Sequence, residues 1–118
     1  MYKFEKLEVY QMALTYTDMI YTLAIKLPRS EENNLRSQMT RAATSVVLNI
    51  AEGSTGQSDA EQGRFLGMAL RSLLETVACQ HLIARRKYIS ADEMAATYEF
   101  SERLFGKLQA LRRSLRSK

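Results

Sequence analysis

Apolar residues recur at steps of three and four along nearly the whole chain, the period of one face of a helix. The first run joins Tyr10, Ala13, Leu14, Thr17, Ile20, Tyr21, Ala24 and Leu27, which predicts a helix over about residues 5–27 that Pro28 ends. The second, over 31–52, carries Leu35, Met39, Ala42, Ala43, Val46 and Ile50. Ser30 is placed to cap it, with Glu31 and Glu32 in its positive first turn and Gly53 as a left-handed residue after its end. A third helix over 59–87 lines up Leu66, Ala69, Leu70, Leu73, Val77 and Ala84, and a fourth over 91–116 lines up Met94, Tyr98, Ser101, Phe105, Leu108, Leu111 and Leu115. Ser58 to Glu61 and Ser90 to Glu93 have the Ser-x-x-Glu spacing of a capping box, which marks where these two helices begin.

No strand-like alternation interrupts this pattern, and one proline and five glycines leave few breaks. Long helices joined by short loops must run antiparallel to their neighbours, so the expected fold is an all-α, up-and-down four-helix bundle, a single domain over 1–118. The third helix is apolar on its far side too, at Phe65, Met68, Cys79, Leu82 and Ile83. A second apolar line needs a second partner, either a neighbouring helix or another subunit. Phe65, Met68, Leu82 and Ile83 are therefore candidate oligomer-interface residues. Gly63 and Gly67, four apart on the same helix, would let another backbone come close.

Charge changes the picture only when it is divided along the chain. The 118 residues carry 17 Lys and Arg against 13 Asp and Glu, a net charge of +4. Arg103, Lys107, Arg112, Arg113, Arg116 and Lys118 all fall in the final stretch, which holds no acid, so the rest of the chain is slightly acidic. Around the fourth helix the cluster Arg112, Arg113, Arg116 points largely away from Leu108, Leu111 and Leu115. Two readings fit: cations complementing the negative end of a helix dipole, and a surface for phosphate oxygens.

The remaining chemistry is sparse. His81 is the only histidine and Cys79 the only cysteine, so the ligand sets of di-iron, haem and zinc sites are not available. Two positions apart on a helix, these side chains point about 200° from each other and make no catalytic pair. Gly53-Ser54-Thr55-Gly56 has no following lysine and is no phosphate loop. A single cysteine, charges through the first eight residues and a longest uncharged run of Ala42 to Ala51 lead us to expect a cytoplasmic protein with no membrane span. No metal, cofactor or small-molecule substrate is expected, and an enzyme is not.

Arg41-Ala42-Ala43-Thr44-Ser45-Val46-Val47-Leu48-Asn49-Ile50-Ala51-Glu52-Gly53 carries more specific information. With Phe4-Glu5-Lys6-Leu7-Glu8-Val9-Tyr10 before it, and Phe65-Leu66 to Ala69 and Ser72-Leu73-Leu74-Glu75 after it, it resembles the bacterial four-helix-bundle family of the 23S rRNA intervening-sequence proteins. Asn49-Ile50-Ala51-Glu52-Gly53 is the distinctive part. The family is similar in fold to the accessory variability determinant of diversity-generating retroelements. The resemblance implies a small cytosolic bundle that assembles as a homopentameric ring, and implies no catalytic residue. Asn49, Glu52 and Gly53 match its motif and are read as structural, satisfying last-turn backbone groups and capping the helix.

The functional expectation is a non-enzymatic homo-oligomer that binds structured RNA or a nucleoprotein through the basic surface of the fourth helix. The alternative is a protein-interaction scaffold that binds no nucleic acid.

Overall fold

The structure, a computed structural model, describes residues 1–56 and 58–116, the side chain of Arg116 excepted. Four α-helices form a bundle 46 Å long and 22 Å across: α1 Glu8–Ala24, α2 Leu35–Gly53, α3 Asp59–Arg85 and α4 Ala91–Arg116. Each packs against its neighbours in sequence, and α4 returns to α1, so α1 and α3 stand at opposite corners. Short 3-10 turns at Lys3–Lys6 and Arg29–Glu31 precede α1 and α2.

The α2 face is the one expected: Leu35, Met39, Ala42, Ala43, Val46 and Ile50 are all buried. Its start is not. Ser30 belongs to the 3-10 turn, and α2 begins at Leu35, four residues after the expected start at 31. Glu31 serves the helix from outside, its carboxylate accepting from the Leu35 backbone N–H (3.4 Å), the Asn34 side chain (2.9 Å) and the Tyr88 hydroxyl (2.9 Å). The Tyr88 bond holds the Glu31 carboxyl below its ordinary range, and the Asn34 bond adds to it. Arg36 reaches back to α1, donating from Nε to the Ala24 carbonyl and from Nη2 to Leu27, both at 3.0 Å. The Leu27 carbonyl lies past the end of α1, and the Ala24 carbonyl, which already accepts the Leu27 N–H (3.1 Å), takes Arg36 as a second donor.

The expected first helix splits. Residues 3–6 form the 3-10 turn, Leu7 is extended, and α1 proper runs only to Ala24. Its buried face is Val9, Ala13, Tyr16, Ile20, Leu23 and Ala24, whereas Leu14 and Tyr21 are exposed. Tyr16 goes inside because its hydroxyl has buried partners there, Thr76 Oγ1 at 2.7 Å and Gln80 Nε2 at 3.1 Å. A tyrosine is buried at little cost when its oxygen is satisfied.

Ser58 and Ser90 do cap α3 and α4, accepting from the Glu61 and Glu93 backbone N–H groups at 3.1 and 3.2 Å. The reciprocal half of each capping box is replaced by an ion pair, Glu61 with Arg64 and Glu93 with Lys26. Gly53 is not left-handed; it is the last residue of α2, and among the described residues the positive-φ positions are Gly56 and Lys87. What requires glycine at 53 is α3, because a Cβ there would lie 2.7 Å from Phe65 Cβ.

The second apolar line of α3 divides between core and surface. Ile83 and Cys79 are buried within the chain's own bundle, so Ile83 cannot form a subunit contact: the core has already taken it. Phe65 is half-buried, seated on Gly53 and covered by the Arg64 guanidinium at 4.6 Å. Met68 is half-buried and Leu82 exposed. On α4, Leu104 joins the core where the sequence pattern places Tyr98, which is exposed.

Candidate functional site

The basic residues of α4 do not form one patch. Lys107 pairs with Glu8 on α1 at 3.2 Å, and Arg103 lies over the Phe100 ring at 4.9 Å. Arg112 turns towards the opposite edge, where its Nε donates to the Gly63 carbonyl on α3 at 3.1 Å. Its guanidinium fills the space above Gly67, where an added Cβ would meet Nη2 at 2.9 Å. The paired glycines thus accommodate an arginine of the same chain, not another backbone. Arg113 is exposed, while Lys118 and the Arg116 side chain lie outside the described residues.

Helix polarity brings Arg112 to the start of α3. There a cleft of about 440 Å³ is lined by Asp59, Ala60, Gly63, Arg64, Arg112 and Leu115. Arg64, on this wall, is not part of the charge cluster read from the sequence; only antiparallel packing places the start of α3 against the end of α4. Glu61 stands beside Arg64, and their ion pair holds the Glu61 carboxyl below its ordinary range. At the other end of the bundle Arg85, Arg86 and Lys87 form a second exposed basic cluster, likewise missed by attention to the C-terminal stretch.

Of the motif residues, Asn49 takes partners within the bundle. Asn49 Nδ2 donates to the Ser45 carbonyl (2.8 Å) and to Ser45 Oγ (3.0 Å), and the Ser72 hydroxyl of α3 donates to the same Oγ at 2.9 Å. Asn49 therefore stays within its own helix and holds Ser45 in position for the α2–α3 contact. A polar cleft of about 360 Å³ beside it is lined by Ser45, Asn49, Met68, Arg71, Ser72 and Glu75. Glu52 is exposed.

Two further features have no counterpart in the sequence pattern. The buried chain Gln80–Tyr16–Thr76 crosses the bundle from α3 to α1. Burial is the main reason its tyrosine is pushed up to about 12. A groove between α3 and α4 consists of two hollows, of about 430 and 270 Å³, that share Tyr98 and Glu102.

Among the described residues no three His, Cys, Asp or Glu side chains are grouped to hold a metal ion, and no helix is long and apolar enough to cross a membrane.

The family model described as 23S rRNA-intervening sequence protein matches residues 5–110, through all four helices. The chain belongs to this family. A crystal structure at 1.70 Å of a protein of unknown function from the S23 ribosomal protein family of Bacteroides thetaiotaomicron VPI-5482 is similar in fold. It has a TM-score of 0.81 and 24% identity, over 89% of this chain and 95% of that one. Comparison with curated proteins gives no match. In this member of the 23S rRNA-intervening sequence family, Asn49 and Gly53 support the α2–α3 packing, and four helices without strands among the described residues form the fold.

Proposed function

We propose that the chain is a non-enzymatic, self-assembling module of the cytoplasm, whose copies join head to tail through two different outward faces. One observation carries this reading: large apolar side chains stand outside the core at opposite corners of the bundle. On α1, Leu14, Tyr21 and Ile25 follow one another at steps of seven and four along the outer side, and Ile25, just past the helix end, is 72% exposed. On α3, Leu74 and Leu82 are 53% and 48% exposed. Contact between unlike faces repeats from copy to copy and closes as a ring when the rotation allows; the family resemblance favours five subunits. Of the interface residues expected from sequence, exposed Leu82 would belong to this contact, and Phe65 and Met68 are half-buried.

Light scattering on mixed variants tests the arrangement. Wild-type protein at micromolar concentration is expected to be multimeric, and Tyr21→Arg and Leu82→Arg each monomeric. Mixed in equal amounts, the two variants should form dimers, because each lends the other an intact face. Monomeric wild-type protein overturns the assembly. A mixture that stays monomeric overturns the head-to-tail contact.

Binding of structured RNA or a nucleoprotein is the second reading, supported by the cleft where Arg64 and Arg112 face the same space. Arg103, Lys107 and Arg113 would contribute only long-range charge, repeated by each subunit. Contact would be with phosphates, without base readout, so affinity should fall steeply with salt. Unchanged affinity at low salt after Arg112, Arg113 and Arg116 are replaced by Ala removes this reading and leaves the scaffold.

A further inference from the structure

As alternate helices of an up-and-down bundle, α1 and α3 run in the same direction, and buried bonds fix how they stand side by side. Tyr16 of α1 meets Thr76 (2.7 Å) and Gln80 (3.1 Å) of α3, which lie 60 and 64 positions further along the chain. A residue of α1 is therefore level with the one about 60 positions on. Leu14, Asp18, Tyr21 and Ile25 climb the outer side of α1 at steps of four, three and four. Level with them stand Leu74, Ala78, His81 and Arg85, which climb the outer side of α3 at the same steps. All of these residues are exposed.

In a head-to-tail ring whose axis runs along the bundle, rotation carries each residue to the next copy at its own height, so only level residues can meet. Here the level residues match in kind. Leu14 meets Leu74, and Tyr21 meets His81 and Leu82. Asp18 is the only charged residue from Val9 to Ile25, and α3 holds no acid from Thr76 to Arg85. Neither Asp18 nor Arg85 is in an ion pair among the described residues. Helical side chains lean towards the N-terminus of their helix, which brings the long Arg85 chain back along α3 towards the height of Asp18. Two α1 faces set against each other could match Leu14 to Tyr21 only by placing Asp18 on Asp18. Charge therefore selects α3 as the partner of α1.

We infer that successive copies meet in parallel, α1 of one against α3 of the next at equal height, with an ion pair between Asp18 and Arg85 across the contact. Resting on the head-to-tail assembly proposed above, this contact adds a direction, a register and the charge pair that chooses the partner face.

Sedimentation of charge-reversed variants over a range of concentrations tests it, with circular dichroism to check that each keeps its helices. Asp18→Arg and Arg85→Asp, both at exposed positions, should each raise the dissociation constant of the assembly at least about tenfold. The two changes in one chain restore opposite charges at every contact and should return the constant to within about threefold of wild type. Asp18→Arg with Arg71→Asp is the control for register, because Arg71 precedes Ala78 by as many positions as Arg85 follows it. This variant should stay dissociated. Rescue by Arg71→Asp in place of Arg85→Asp is the mark of antiparallel contact and overturns the inference. Single reversals that leave assembly unchanged overturn it too, as does a failure of both double variants to recover. Wild-type protein that is monomeric throughout removes the assembly as a whole. Wild-type protein that assembles and is dispersed by Tyr21→Arg, with no rescue by Arg85→Asp, removes this register alone.

Discussion

Arg112 of α4 occupies the space that a side chain at Gly67 of α3 would need: a Cβ there would stand 2.9 Å from Arg112 Nη2, while Nε of the same guanidinium holds the Gly63 carbonyl. An arginine that looks like free surface charge in sequence is thus a tie between two helices. The two glycines under it predict different outcomes. At Gly63, as at Gly106, an added methyl meets nothing within 4 Å. Alanine at either position should raise stability by about 0.5–1 kcal/mol, the ordinary gain over glycine within a helix. Gly67→Ala should gain less than either, because the displaced arginine gives up a bond worth about 1 kcal/mol. Urea denaturation of the three variants measures the order.

Gly53→Ala should lower stability by about 1–3 kcal/mol, the usual range for overpacking. The obstructing atom, Phe65 Cβ at 2.7 Å, is fixed to the α3 backbone and cannot swing aside as a long side chain would. Thermal unfolding measures the loss. A neutral result would mean that the α2–α3 contact does not require glycine at this position.

The contrast between α2 and α1 explains how much was legible in sequence. On α2 the buried apolar positions fall on one face at steps of three and four, and apart from Val47 and the exposed Leu48 the rest is mostly Thr, Ser, Arg and Asn, so periodicity picks out the core. On α1 the large side chains lie all round, and Leu14 and Tyr21 compete with Val9, Tyr16 and Leu23. What decides there is the Tyr16 hydroxyl finding Thr76 some 60 residues away, a pairing no local pattern contains. The candidate site was hidden for the same reason. Six basic residues close in sequence were readable, but Glu8 against Lys107 and Gly63 against Arg112 exist only after the helices pack.

Lys87→Gly should stabilise the chain by about 0.5–1 kcal/mol. Lys87 takes φ 61 at the end of α3, where its N–H bonds the Ala84 carbonyl (3.0 Å) and the Tyr88 N–H bonds Ile83 (3.2 Å). This is the Schellman arrangement, with lysine at the position glycine usually fills. A left-handed conformation costs a side chain with Cβ about 1–2 kcal/mol. Glycine removes that penalty but adds chain entropy to the unfolded state, so only part of it is recovered. Lys87→Ala should recover none, which separates backbone conformation from loss of charge in the same denaturation experiment.

Tyr16→Phe tests the buried chain in two ways. Near neutral pH it leaves Gln80 Nε2 and Thr76 Oγ1 without their partner, at a cost of about 1–3 kcal/mol. In alkali the comparison changes. With the folded phenol pushed up to about 12 from 10.0, mainly by burial, the folded state keeps a proton that the unfolded state releases between these values. Stability from this group is therefore complete below about pH 10 and is lost as pH rises towards 12, by about 1.4 kcal/mol per unit. The phenylalanine variant has no such proton, so its stability should fall less steeply over the same interval. Urea midpoints at pH 8, 10 and 11 for the two proteins should converge. Parallel lines would show that Tyr16 ionises as readily in the core as in water.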